Sequence, residues 1–115
     1  MAERIRTIIL KEGLPTVAVA RARLNTELER ARGTGIPALK VVHGYGSGGR
    51  GGALREAIRA SLRKRRKEGR IRAFVPGEKF DASDPITRQM IEECSDLARD
   101  PDFGRYNEGI TMVLL

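Results

Sequence analysis

The chain has 115 residues, 22 of them Lys or Arg and 15 Asp or Glu, and a formal charge of +7. That length fits one domain, residues 1–115, with a core large enough to need no staple. No apolar run approaches the roughly 18 residues of a membrane span, and Met1-Ala2-Glu3-Arg4-Ile5-Arg6 holds no apolar signal core. A single cysteine, Cys94, and a single histidine, His43, exclude a disulfide framework within the chain and a Cys-cluster zinc site. The expectation is a soluble, cytoplasmic protein of a reducing compartment, with no membrane partner.

Arg4 to Lys11 reads as a strand through Ile8, Ile9 and Leu10. Gly13-Leu14-Pro15-Thr16 is a turn, with Thr16 as the N-cap of a helix over Val17–Arg32 whose inward face is Val17, Ala20, Leu24 and Leu28, with Ala31 close to it. Gly33 ends it. Ala38–His43 is a second strand, followed by a glycine-rich loop from Gly44 to Gly52. A second helix runs from Ala53 to about Lys67: Leu54, Ala57, Ile58, Ser61 and Leu62 point inward, and Arg55, Arg59, Arg63 and Arg66 follow one flank. After Gly69, Arg70–Val75 is a third strand. A long connection opens at Pro76. Within it Ser83 or Asp84 caps a third helix that begins at Pro85 and continues to about Ala98. Gly109–Leu115 closes the chain as a strand in which Ile110, Met112 and Leu114 alternate with Thr111 and Val113. Alternating strands and helices favour a mainly parallel sheet, with the last strand antiparallel or at an edge.

Charge is segregated along this order. Residues 50–72 carry ten bases against two acids, or +8, which exceeds the +7 of the whole chain. Residues 73–115 carry four bases against nine acids, or −5. A cationic segment this dense is the footprint of a phosphate-rich partner, DNA or RNA.

The glycine loop is the place where such a partner fits. Val41-Val42-His43-Gly44-Tyr45-Gly46-Ser47-Gly48-Gly49 brings a strand to the carboxyl edge of a sheet, where open α/β folds bind ligands. Glycines let backbone N–H groups approach an anion, and the following helix adds its positive end. Gly44, Gly46 and Gly49 spell G-x-G-x-x-G, but the acid that a dinucleotide fold wants about 20 residues later is replaced by basic Lys64-Arg65-Arg66-Lys67. No Gly-Lys-Ser or Gly-Lys-Thr follows, so a Walker loop is excluded too. The expected phosphate contacts are Gly44, Tyr45, Gly46, Ser47, Gly48, Arg50, Arg55, Arg59 and Arg63. His43 is the acid–base candidate. Cys94, beside Glu92 and Glu93, reads as a packing residue.

These residues resemble the Smr, or small MutS-related, domain family. Val41-Val42-His43-Gly44-Tyr45-Gly46-Ser47-Gly48 is similar to its strand followed by His-Gly-x-Gly-x-Gly. Ala53–Leu62 is similar to the helix after that loop, Ile71–Pro76 to the next strand, and Gly109-Ile110-Thr111-Met112-Val113-Leu114 to its closing Gly-x-Thr-x-Val-x-Leu. The resemblance implies an α/β two-layer sandwich, with a four-stranded mixed sheet and two main helices. It also implies nucleic-acid binding, with structure-dependent endonuclease nicking in DNA repair, recombination or RNA processing as the activity of catalytic members. Magnesium or manganese is the cofactor implied for that activity, and no small-molecule cofactor is expected.

The chain departs from the family pattern in three places. The family's opening Leu-Asp-Leu-His-Gly is Ile8-Ile9-Leu10-Lys11-Glu12-Gly13 here. One register puts Ile9 and Lys11 at the Asp and His places, the other Leu10 and Glu12, and Glu12 becomes a second catalytic candidate. The glycine loop is longer by about Arg50-Gly51-Gly52. Residues 77–107 form an acidic insertion with its own helix, able to supply a carboxylate or to cover the basic surface. A non-catalytic nucleic-acid-binding or adaptor domain is the alternative function, and a small nucleotide-binding enzyme a further one.

Overall fold

A computed structural model describes residues 3–13, 15–45 and 50–115, and of Arg50 only the backbone. The elements are β1 (Ile5–Ile9), α1 (Val17–Gly33), β2 (Ala38–Val42), α2 (Arg50–Lys67), β3 (Ala73–Pro76), α3 (Pro85–Glu93) and β4 (Ile110–Leu114), with 3-10 turns at Gly77–Lys79 and Ser95–Arg99. Thr16 caps α1 by accepting from the Val19 N–H at 3.2 Å, and Ala20, Leu24, Leu28 and Ala31 form its buried face. Asp84 caps α3 by accepting from the Thr87 N–H at 2.8 Å. Among the described residues no helix is long and apolar enough to cross a membrane.

Sheet order is β1-β2-β4-β3. The β1–β2 pair is parallel, whereas β4 is antiparallel to both β2 and β3. The mixed four-stranded sheet that the family resemblance implies is therefore the one found, in place of the mainly parallel pairing that alternation alone favours, and the closing strand lies inside the sheet, away from its edges. All five residues of β4 are buried. A strand apolar on both faces belongs in the middle of a sheet covered on both sides.

The two faces of the sheet carry separate cores. Ile8, Leu39, Val41 and Val113 pack beneath α1 and α2, with Leu24, Leu28, Leu54, Ile58 and Leu62 opposite them. Ala38, Val75, Met112 and Leu114 face the other way, against Phe80, Met90, Cys94 and Leu97. The acidic insertion thus forms a layer of its own behind the sheet. Phe80 and Phe103 meet edge to face there at 5.2 Å.

Lys40 pins that layer to β2. Its ammonium lies 2.9 Å from Asp100 Oδ1 and 2.5 Å from Asp102 Oδ2. Burial opposes its charge, but the hydrogen bonds and charges of Asp102 and Asp100 outweigh burial and raise its pKa.

Strand β3 begins at Ala73, not at Arg70, because the Arg70 N–H still closes the end of α2 on the Arg65 carbonyl, and two helix boundaries also differ from expectation for local reasons. Helix α2 begins at Arg50, taking Gly51 and Gly52 into its first turn. Glycine there costs about 1 kcal/mol relative to alanine, which packing of the rest of the helix overrides. Helix α3 stops at Glu93 because Cys94 takes φ −142° and ψ 89°, after which the chain tightens into the 3-10 turn instead of reaching Ala98 as a helix.

Candidate nucleic-acid interface

Strand β2 ends at Val42, and the next side chain in alternation, His43, turns toward α2. His43 is 1 % exposed. The backbone N–H groups of His43 and Gly44 both donate to the Gly109 carbonyl at 3.0 Å, which ties the start of the loop to the start of β4. Gly44 has φ +87°, a conformation open to glycine, and the Lys11 stem lies beside it. Tyr45, next along, is 61 % exposed.

The imidazole belongs to a hydrogen-bonded chain whose directions are fixed by donor chemistry. His43 Nδ1 lies 2.9 Å from the Gly44 carbonyl, which can only accept, so Nδ1 carries the proton. Nε2 is then an acceptor, and the Thr111 hydroxyl 2.9 Å away donates to it. Thr111 Oγ1 in turn accepts from Arg59 Nε at 3.1 Å. Arg59 completes the chain with a bidentate grip on Glu78, at 2.7 and 2.8 Å, and with donation to the Glu108 and Ile110 carbonyls.

Burial pushes the His43 pKa down to about 4, and the positive charges of Arg59 and Arg55 push the same way. The ring is neutral at pH 7. For Glu78, burial favours the neutral acid, but the hydrogen bonds and charge of Arg59 outweigh it and lower the pKa.

Glu78 sits where it does because Gly77 has no side chain. A Cβ at Gly77 would overlap the Asn107 carbonyl oxygen and the Ile110 side chain. Asn107 also accepts from the Gly109 N–H at 2.9 Å, so it braces the carbonyl that holds the loop.

The expected site residues separate into groups. His43, Gly44, Tyr45 and Arg55 come together at the β2–α2 junction. Gly46, Ser47, Gly48 and the Arg50 side chain lie outside the described residues. Arg59 is 8 % exposed and engaged by Glu78 and β4. Arg63 lies further along α2, with Arg66, Lys67 and Lys79, around a groove of about 320 Å³ beside Phe74 and Ile86. Glu12 lines a groove between β1 and α1 and makes no hydrogen bond to His43, both of whose ring nitrogens are taken. Lys11, not Glu12, is the residue beside Gly44.

Arg55 differs from Arg59. Among the described residues its buried Nε has no hydrogen-bond partner, and its Nη1 is 3.6 Å from a Glu108 carboxylate that is itself 57 % exposed. It has a charge to offer and only a loose, solvated counter-ion.

Among the described residues no three His, Cys, Asp or Glu side chains come together, and the imidazole has no free lone pair.

Glu78, Thr111, Asn107 and Lys40 were not singled out in the sequence. Thr111 carried a signal, a lone hydroxyl in an otherwise apolar strand. Glu78 carried none, since its partner is 19 residues away across β3.

Comparison with known proteins completes the picture. The family model of the Smr domain matches residues 13–88. Endonuclease MutS2 of Thermus thermophilus is 40 % identical over 63 residues, a stretch covering 55 % of this chain and 8 % of that protein. The crystal structure of the Smr domain of Thermus thermophilus MutS2 superposes with a TM-score of 0.58 at 30 % identity, over 96 % of each chain.

Proposed function

Because the chain belongs to the Smr domain family, we propose that it binds the sugar-phosphate backbone of DNA or RNA where β2 passes into α2. The observation that carries this reading is Arg55. A buried guanidinium N–H that finds no acceptor among the described residues, in the second turn of α2, can be completed by a phosphate oxygen. The +8 charge of residues 50–72 supports it, as does Tyr45, whose exposed ring can stack on a base. His43 positions the loop: its proton holds the Gly44 carbonyl, and its lone pair is held by Thr111.

Binding is tested by fluorescence anisotropy with a labelled DNA junction and a labelled RNA hairpin. Affinity is expected to fall steeply between about 50 and 200 mM salt, as counterions are released, and Arg55→Gln is expected to weaken it and flatten the slope. A salt-independent affinity, or none in dilute buffer, rejects the proposal.

A second reading, phosphodiester nicking, is favoured by the relationship to Endonuclease MutS2, of which the matched segment is a small part. It requires the Gly44 carbonyl to turn away so that His43 gains a free nitrogen. Supercoiled plasmid with magnesium or manganese is the test: cleavage abolished in His43→Ala supports it, and equal background in both proteins selects binding alone.

A further inference from the structure

We infer that the far end of α2 holds a second anion site, built by Arg65, Arg32 and Arg70, that takes a phosphate group. The site stands apart from the nucleic-acid reading above. Arg65 lies about 15 Å along the helix axis from Arg55, by the rise of ten residues.

Arg65 continues the inward line of α2 that Leu54, Ile58 and Leu62 begin, and it is 8 % exposed. Its Nε is buried with no hydrogen-bond partner among the described residues. A guanidinium withdrawn from water in this way is costly unless an acceptor meets it.

The backbone does not supply that acceptor. The closing carbonyls of α2 are taken by main-chain N–H groups: Lys64 by Glu68, Arg66 by Gly69, and Arg65 itself by Arg70 at 2.9 Å. Those of α1 are taken the same way, Arg30 by Thr34, Ala31 by Ile36 and Arg32 by Gly35. These last-turn carbonyls are therefore met by main-chain N–H groups and not by the Arg65 side chain.

The neighbouring side chains add positive charge. Arg32 Nη2 donates to the Arg70 carbonyl, which brings α1 against the turn after α2. Arg70 reaches Glu29 and Glu68 only at 3.8 Å each, with all three side chains well exposed. Burial lowers the Arg65 pKa, and Arg70 and Arg32 lower it further, against the pull of Glu29 and Glu68. Arg32 and Arg70 are thus the cationic neighbours of Arg65 where the ends of α1 and α2 meet, and the acids that face Arg70 are distant and solvated. A tetrahedral oxyanion, with several acceptor oxygens, satisfies the orphaned Nε and two forks at once. The phosphate can belong to a small free ion or to a nucleic-acid backbone.

The test follows the Arg65 side-chain Nε–Hε signal of the full chain by NMR, assigned by its disappearance in Arg65→Met. Inorganic phosphate is expected to move that signal saturably, while chloride at equal ionic strength leaves it in place. Arg70→Gln, at an exposed position, should weaken phosphate binding by roughly threefold or more. Glu29→Gln with Glu68→Gln should tighten it, because both acids compete for Arg70. A short single-stranded oligonucleotide is titrated in parallel into Arg55→Gln protein. If it moves Arg65 at concentrations where inorganic phosphate is silent, the phosphate is that of a polymer; if only inorganic phosphate acts, it is a free ion. An Arg65 signal that ignores both, or that responds equally to chloride, overturns the site. Failure of the unsubstituted protein to bind the oligonucleotide, with the phosphate response intact, refutes the function proposed above and leaves this site standing.

Discussion

The middle and the ends of α2 use the same residue type for opposite purposes. At the middle, Arg59 meets a carboxylate, a hydroxyl and two carbonyls, and its work is to join α2 to β4 and to the turn after β3. Toward the ends, Arg55 and Arg65 each keep a buried Nε with no acceptor among the described residues. The difference separates an arginine that builds the fold from arginines that, in the readings proposed above, await a ligand. Net charge alone cannot draw that line, since all three count equally toward it.

The sharpest way to break this contrast is at Arg59. Arg59→Met leaves Glu78 and Thr111 without their partner, and is expected to destabilise the protein by about 3 kcal/mol, the scale of a broken buried ion pair. Arg55→Gln should cost well under 1 kcal/mol. Urea denaturation of the two variants compares them directly, and equal losses would erase the distinction.

A pH titration probes the same network from its other end. The unfolded chain takes up a proton at His43 near pH 6.5, while the folded chain refuses it until about pH 4. Stability therefore falls as pH drops through that window, by about 3 kcal/mol at about 1.4 kcal/mol per pH unit. His43→Gln should lose much less over the same range. Parallel curves for the two proteins would show that the ring is not held neutral by its surroundings.

The smallest effect is expected at Glu108. Glu108→Gln removes the loose counter-ion of Arg55 and should change stability by less than about 0.5 kcal/mol. It should tighten oligonucleotide binding about two- to threefold, since a competing charge near the phosphate is gone. Weaker binding would mean that Glu108 orients Arg55 and does not compete for it.

Much of this was legible in the residues. Val-Val-His-Gly placed His43 at the end of a strand, and Thr16, Asp84 and Pro85 marked helix starts through capping chemistry that acts over three or four residues. The inward turn of Arg59 was not legible: a spacing of four along α2 groups it with Arg55 and Arg63, and only its partners distinguish it. Those partners, Glu78 and Thr111, lie 19 and 52 residues away. The interior position of β4 was readable in part. Met112 and Val113 point to opposite faces and both are apolar, which is the mark of a strand covered twice, yet alternation alone left its neighbours open.

The last strand in chain order is also the one that every late contact awaits. Without β4, the parallel pair β1–β2 and the short β3 share no hydrogen-bonded border. During translation, then, the sheet stays in two parts until residues 110–114 have left the ribosome, and Thr111, the group that orients the imidazole, arrives with them. The β2–α2 junction is accordingly completed only once β4 has formed, and a ribosome stalled before that point would display a cationic polypeptide with its imidazole still unanchored.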